Sequence, residues 1–186
     1  YNQIQGFLDD WNHDRDHGER IYISYDSTNK NCQAGNIDMV EFGHPKVDRG
    51  LPVVNIAMAY DTNNEIPLFY EEYPGSIVDV SQLRYMVEKA SGYGYRNIGF
   101  ILDRGYFSRT NIHDMDKAEY PFIIMVKGQK KLVREIILDC KGSFESDRKS
   151  LIRPYRCYGK TVARKLYPSD SKHRYFHLYY SHEKAA

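Results

Sequence analysis

The chain has 186 residues, 41% of them hydrophobic and 27% charged, and a mean hydropathy of −0.66. That suits one domain, or one domain carrying a large insertion, and excludes collagen, coiled coil and low-complexity disorder. With a net charge of +1 and no apolar run near the roughly 18 residues of a membrane span, no membrane protein is expected.

Residues 1–20 are polar, with Phe7, Leu8 and Trp11 forming an apolar face at helical spacing, which predicts the tail of a helix. Residues 21–25 predict a strand ending at Asp26. Residues 27–51 are rich in Asn, Gly and Asp and predict a loop. Strands over 52–60 and 66–70, joined by the turn Asp61-Thr62-Asn63-Asn64, predict a hairpin. Asp79 or Ser81 is placed to cap a helix whose Leu83, Met86, Val87 and Ala90 repeat at i, i+3, i+4 and i+7, with Gly92 and Gly94 ending it. Residues 98–102 predict a strand covered on both faces and ending at Asp103. Ser108 predicts a cap for a short helix to about Lys117, and 122–126 predict another buried strand.

From Lys127 the texture changes. Stretches at 132–138, 161–166 and 174–180 read as strands between polar turns, which predicts a mainly β insertion. Charge changes at the same place. Residues 1–126 hold 11 Lys and Arg against 19 Asp and Glu, a net of −8, whereas 127–186 hold 15 against 6, a net of +9. The acidic part repels a polyanion unless metal ions mediate. The basic part, with Tyr155, Tyr158, Tyr167, Tyr175, Tyr179 and Tyr180 among its cations, suits a phosphate backbone, although a solvated basic surface has the same composition.

The first ten residues carry no signal peptide, and Cys32, Cys140 and Cys157 lack CxxC spacing. A disulfide framework or zinc ribbon is therefore not expected, and a reducing cytoplasm is. The chain starts without Met and stops in the helix-like run Glu183-Lys184-Ala185-Ala186, as a piece of a longer polypeptide is expected to do.

Three strands followed by helix, strand, helix and strand predict a mixed sheet flanked by helices. If the first and fourth strands lie side by side, Asp26 and Asp103 meet at strand C-terminal ends, the usual ligand crevice of an open α/β sheet. Two carboxylates there suit Mg²⁺ or Mn²⁺, and a metal pair can activate water and stabilise a leaving 3′ oxygen. An aspartate after a strand is also a common turn residue, and Asp26-Ser27-Thr28 and Asp103-Arg104-Gly105 both fit turns.

Four segments together resemble the DDE transposases of bacterial insertion sequences. They are Tyr25-Asp26-Ser27-Thr28, Phe42-Gly43-His44 leading to Leu51-Pro52-Val53-Val54-Asn55, Tyr73-Pro74-Gly75-Ser76-Ile77-Val78-Asp79, and Leu102-Asp103-Arg104-Gly105-Tyr106-Phe107-Ser108 with Asn111. The resemblance implies a ribonuclease H-like fold with a β-rich insertion after the fifth strand. It divides the chain into a catalytic core over 1–126 and a basic insertion over 127–186. It also implies that Asp26 and Asp103 are the first two catalytic acids, holding two Mg²⁺ or Mn²⁺ ions in the complete site. The family's third acid, a Glu in a Tyr-x2-Arg-x3-Glu-x6-Lys helix, has no match. Tyr93 and Arg96 have the first spacing, but Phe100 stands at the Glu position, and Glu183 precedes no suitable helix. The third acid is expected beyond residue 186, leaving this fragment inactive alone.

The implied full protein binds transposon ends, cleaves DNA and joins it to target DNA, with a homodimer expected from the resemblance alone. Lys130, Lys131, Arg134, Arg153, Arg156, Lys160, Arg164 and Lys165 are the expected phosphate contacts. The alternatives are a non-catalytic DNA-binding or assembly module, and a structure-selective nuclease of the same fold. His44 is a weaker candidate for substrate contact, and neither His113 nor the pair His173 and His177 has a carboxylate spaced for zinc.

Overall fold

The computed structural model describes residues 2–13, 15, 20–93, 95 and 97–185. Gly94 and Arg96, invoked above for a helix end and a motif spacing, lie outside the described residues. The chain divides into two compact units, Tyr1–Lys127 and Gly128–Ala186.

The first unit runs α1 (Asn2–His13), β1 (Ile21–Asn31), β2 (Val53–Asp61), β3 (Ile66–Pro74), α2 (Asp79–Gly92), β4 (Ile98–Leu102), α3 (Arg109–Lys117) and β5 (Phe122–Ile124). Its five-stranded sheet has the order β3-β2-β1-β4-β5. β2 is antiparallel to β1 and β3, whereas β4 is parallel to β1 and β5. This is the ribonuclease H-like mixed sheet. Period-two alternation decides which side chains enter the core. Ile21, Ile23 and Tyr25 of β1 and Val53, Ala57 and Ala59 of β2 are buried, with Leu83, Met86 and Ala90 of α2 and Ile112 and Met115 of α3.

The structure differs from the sequence expectations at several elements. β1 does not stop at Asp26 but continues to Asn31, paired with β2 throughout, so Asp26-Ser27-Thr28 is strand rather than turn. The polar composition of 26–31 hides a strand of which one face is solvated and one edge is bonded by a loop rather than by a strand. In α1, Leu8 and Asn12 face inward, while Phe7 and Trp11 are exposed and pack on each other at 5.7 Å. The Asn12 amide donates to the Leu8 carbonyl at 2.7 Å and to the Pro67 carbonyl at 3.1 Å, tying the helix to β3. β4 and β5 are not covered on both faces: Ile101 and Ile123 are exposed, and β5 ends at Ile124. α2 begins with Asp79 already helical after Val78, without a side-chain cap. Ser108 does cap α3, accepting from the Asn111 N–H.

The second unit contains α4 (Lys130–Cys140), β6 (Leu151–Ile152), β7 (Cys157–Arg164), β8 (Arg174–Tyr180) and α5 (His182–Ala185). Its antiparallel sheet has the order β6-β7-β8. Residues 132–138, expected as a strand, belong to α4. The adjacent β-branched Ile136 and Ile137 suggest a strand, but Leu132, Ile136 and Cys140 recur at helical spacing and win by packing. Ile136, Cys140 and Phe144 are buried against Leu132, Tyr158, Val162, Phe176, Leu178 and Tyr180.

Two glycines in the first unit allow backbone to pass against backbone. A Cβ on Gly75 would lie 2.2 Å from the Val53 carbonyl oxygen and 2.4 Å from that of Glu41, and one on Gly43 would lie 1.8 Å from the Gly75 oxygen. Neither obstacle is a movable side chain. Gly75→Ala is expected to destabilise the chain by about 1–3 kcal/mol in urea denaturation. Gly6→Ala in α1, where a Cβ meets nothing within 4 Å, should instead stabilise by roughly 0.5–1 kcal/mol.

Candidate active site

β1 and β4 run parallel in the register Ile21–Ile98 through Tyr25–Leu102. One step further along this register Asp26 lies opposite Asp103, whose backbone is still extended at φ −72° and ψ 161°. Neighbouring strands are about 4.8 Å apart. Tyr25 and Leu102 are both buried, so alternation turns the next pair to the opposite side, where both aspartates are exposed. Asp26 Oδ1 accepts from the Ser27 N–H at 2.9 Å.

Past this point β4 leaves β1. Asn29 and Asn31 then bond the loop that follows the strand, as a neighbouring strand would. The Asn29 amide donates to the His44 carbonyl at 3.0 Å and its oxygen accepts from the Lys46 N–H at 2.9 Å. Asn31 does the same with Asp48, at 2.8 and 3.1 Å. This strap brings Lys46 Nζ to 2.6 Å from the Ser27 carbonyl, one residue from Asp26. Lys46 escaped the sequence expectations because no spacing links it to Asp26; only the Asn-x-Asn edge of β1 signals the strap. His44 contributes its carbonyl to it.

On the buried side, beneath the aspartates, lies a layer of tyrosines. The Tyr25 and Tyr106 rings pack at 5.4 Å. The Tyr25 hydroxyl donates to Glu71 Oε2 at 3.0 Å, and the Gln82 amide donates to the same oxygen at 3.1 Å. The Tyr73 hydroxyl donates to Asp79 Oδ1 at 2.7 Å, so Asp79 serves as an acceptor here rather than as the helix cap expected from sequence. Burial, then the Glu71 carboxylate, raise the Tyr25 hydroxyl well above the ordinary tyrosine range. Tyr73 is raised by burial and by its bond to Asp79. Burial also raises Tyr106; the Ser27 hydroxyl opposes this, while the charges of Asp79, Asp26 and Asp103 add to it. Buried Asn111 donates to the Tyr106 carbonyl at 2.9 Å and to the Val80 carbonyl at 2.8 Å, fastening the turn after Asp103 to α2.

The family model described as "Transposase DDE domain" matches residues 18–183. The chain belongs to this family. No curated protein matches it. Among solved structures, it is similar to the piggyBac transposase in a synaptic complex with hairpin DNA, at 13% identity and a TM-score of 0.44, covering 86% of this chain and 32% of that one. It is also similar to the Mos1 transposase in a paired-end complex with the left transposon end, at 9% identity and a TM-score of 0.41, covering 75% of this chain and 47% of that one. The transposase domain described here thus spans less than half the length of either.

Among the described residues of this transposase domain, no group of three or more His, Cys, Asp or Glu is arranged to hold a metal ion. Phe100 lies in the core of β4, and Glu183 is on α5 in the second unit, 3.9 Å from Arg156. The expected phosphate contacts are spread over that unit. Lys130, Lys131 and Arg134 are exposed on α4, Arg153 sits in a short turn, and Arg156 has left-handed backbone at φ 47°. Lys160 donates to the Ser143 hydroxyl at 2.7 Å, and Arg164 pairs with Asp139 of α4 at 3.2 Å, so both lie on the helix side of the sheet. Lys165 is exposed just after β7. No helix among the described residues is long and apolar enough to cross a membrane.

The tyrosine layer makes stability depend on alkaline pH. A tyrosine whose folded pKa is raised contributes stability that is whole below about pH 10, where the unfolded chain starts to ionise, and is lost as pH rises towards the folded value. For Tyr95, pushed up to about 12 by burial, that window closes within reach; for Tyr25, Tyr73 and Tyr106 it extends further. Each contributes a slope of about 1.4 kcal/mol per pH unit. Tyr25→Phe is expected to cost about 1–3 kcal/mol at pH 7, because buried Glu71 loses a donor, and to flatten the fall in stability above about pH 10. Denaturant titrations from pH 7 to 11.5 measure both effects.

Proposed function

We propose that this chain is the metal-binding part of a transposase catalytic domain, with Asp26 and Asp103 as its first two acids. The observation that carries this is the parallel β1–β4 register, which ends at Tyr25–Leu102 and leaves two exposed carboxylates, Asp26 and Asp103, one step beyond its last pair. Like charges so placed destabilise a sheet, and a hard divalent cation with oxygen ligands, Mg²⁺ or Mn²⁺, turns that repulsion into attraction. Two ions held by a completed acid set would supply Lewis acidity at the scissile phosphate and a more acidic attacking water.

The residues present divide the remaining work. Asp26 and Asp103 offer the oxygen ligands, the tyrosine layer and Asn111 hold the strand ends that carry them, and Lys46 presents a cation beside them for a DNA phosphate. The third acid comes from a part of the parent protein outside these residues, so the chain alone binds metal weakly and does not cleave. In the parent protein the reaction is hydrolysis of a phosphodiester at a transposon end and joining of the freed 3′-OH to target DNA, in a homodimer. The 1–126 part is the catalytic core, and 127–186 is a basic insertion whose Lys130, Lys131, Arg134, Arg153, Arg156, Lys160, Arg164 and Lys165 contact DNA phosphates.

A second reading, a DNA-binding module without catalysis, is favoured by the lack of a third acid among the described residues. Metal binding separates the two. With a Kd of about 1 mM, 10 mM Mn²⁺ should stabilise the chain by about 1.4 kcal/mol. That gain should vanish in both Asp26→Asn and Asp103→Asn; a gain unchanged by either substitution favours the second reading. Contact with about six phosphates predicts a loss of roughly 10³-fold in DNA affinity between 50 and 200 mM salt, measured by fluorescence anisotropy.

A further inference from the structure

Strand β8 alternates strictly between the two faces of the small sheet. Phe176, Leu178 and Tyr180 pack towards α4, while Tyr175, His177 and Tyr179 turn away from it. Tyr175 and Tyr179 are 76% and 68% exposed. Residues two apart on a strand are about 6.8 Å apart, so the three rings form a row along the edge strand. Opposite them on β7 the register places Ala163 against Tyr175, Thr161 against His177 and Gly159 against Tyr179. These residues are small and leave the rings uncovered. Thr161 Oγ1 lies 2.8 Å from His177 Nδ1 and fixes the middle ring. A Cβ on Gly159 would lie 2.8 Å from Ile152 Cδ1 and 3.6 Å from the Tyr179 ring, so Ile152 of β6 shares this face with the tyrosine.

We propose that this outward face of β7 and β8 is a stacking surface for the unpaired bases of a single-stranded nucleic acid. Three features favour that occupant. The face carries π surfaces at regular spacing and no carboxylate: its β7 and β8 residues are Cys157, Gly159, Thr161, Ala163, Tyr175, His177 and Tyr179. Basic side chains stand near both ends of the row, Lys165 beyond the Arg164–Arg174 pair and Arg156, which lies 3.9 Å from Glu183, before Cys157. The unit as a whole, residues 128–186, has 14 Lys and Arg against 6 Asp and Glu. Rings that stack on bases beside a cationic track are how proteins hold single strands without reading their sequence. The proposal deepens the reading that this unit contacts DNA and rests on it: phosphates supply the general attraction, and the ring row adds a preference for exposed bases.

The test uses the 186-residue chain and three fluorescein-labelled probes of equal length: oligo-dT, an abasic strand of the same charge, and a duplex. Oligo-dT is expected to bind about tenfold more tightly than the abasic strand. Tyr175→Ala and Tyr179→Ala should each weaken oligo-dT about tenfold while leaving the abasic strand unchanged, and Tyr175→Trp should restore binding. Lys130→Ala with Lys131→Ala should weaken all three probes alike. Because both tyrosines are exposed, unchanged circular dichroism and Tm are expected. Equal affinity for oligo-dT and abasic strand, with the salt and lysine effects intact, overturns the stacking surface and leaves the phosphate reading standing. Binding of none of the probes overturns both. If Tyr175→Ala and Tyr179→Ala instead abolish self-association in sedimentation, the face is an interface between copies and the proposal fails.

Discussion

The parallel pairing of β1 with β4 is the constraint on which the first unit depends. β1 pairs with β2 from Ile23 to Asn31 but with β4 only from Ile21 to Tyr25, and the divergence after Tyr25–Leu102 leaves Asp26 and Asp103 exposed at the fork. Before the fork, both edges of β1 are satisfied by backbone. After it, an edge of the strand is left to the loop, and the Asn29 and Asn31 amides supply bonds that a strand would have supplied. A sheet that kept β4 paired to Asn31 would bury the edge beside Asp26. One that parted earlier would separate the aspartates. The fork sits between these failures, with hydrophobic pairs Ile23–Phe100 and Tyr25–Leu102 behind it to hold the register.

The two faces of β1 then carry opposite loads. Side chains at odd positions enter the core and those at even positions leave it, so a one-residue slip of β1 would bury Asp26 and turn Tyr25 out to solvent. The buried face resists that slip with more than apolar contact. Glu71, Tyr25 and Gln82 are mutually satisfied, and breaking any one strands a polar group away from water, which costs more than a surface hydrogen bond. Such a layer makes the floor stiff beneath the exposed acids. The cost is sensitivity to alkali, because burial and the neighbouring acids raise these three phenols and oppose their ionisation within the fold.

Fold class and family were legible because they rest on long periodic elements and on short motifs with fixed backbone roles. Strands β1 to β4 and helices α2 and α3 show their periods plainly, and Ser108 and Asn111 sit where local hydrogen bonding demands them. What was hidden has physical causes. The second half of β1 looks like loop because solvated strand residues are free to be polar. Residues 132–138 look like strand because Val133, Ile136 and Ile137 are β-branched, yet the 132, 136, 140 stripe packs as a helix. Phe7 and Trp11 look like a core face, yet Asn12 turns α1 by giving its amide to β3. Lys46 is invisible in one dimension, since a loop residue gains its position from bonds made by distant asparagines. Tyr158 and Tyr180 could not be told from Tyr175 and Tyr179 by composition, only by the parity of their strands.

That parity bears on why the second unit has rings outside at all. A unit of about 60 residues buries a small share of its surface and is short of core, and here the buried apolar side chains among its described residues are Ile136, Cys140, Phe144 and Leu166. A buried aromatic ring contributes more burial than other side chains, so stability alone would turn such residues inward. The sheet instead leaves Tyr175 and Tyr179 on an exposed face, and on β8, an edge strand whose free backbone groups already invite pairing with other chains. Edge strands are ordinarily blunted by charge, yet the charged Arg174 lies on the α4 side with Arg164, leaving the outward face to rings and small residues. Solubility would favour polar residues at these positions. The proposed stacking surface gives their aromatic character a role, and with basic side chains near the ends of the row a polyanion bearing flat apolar groups matches both features.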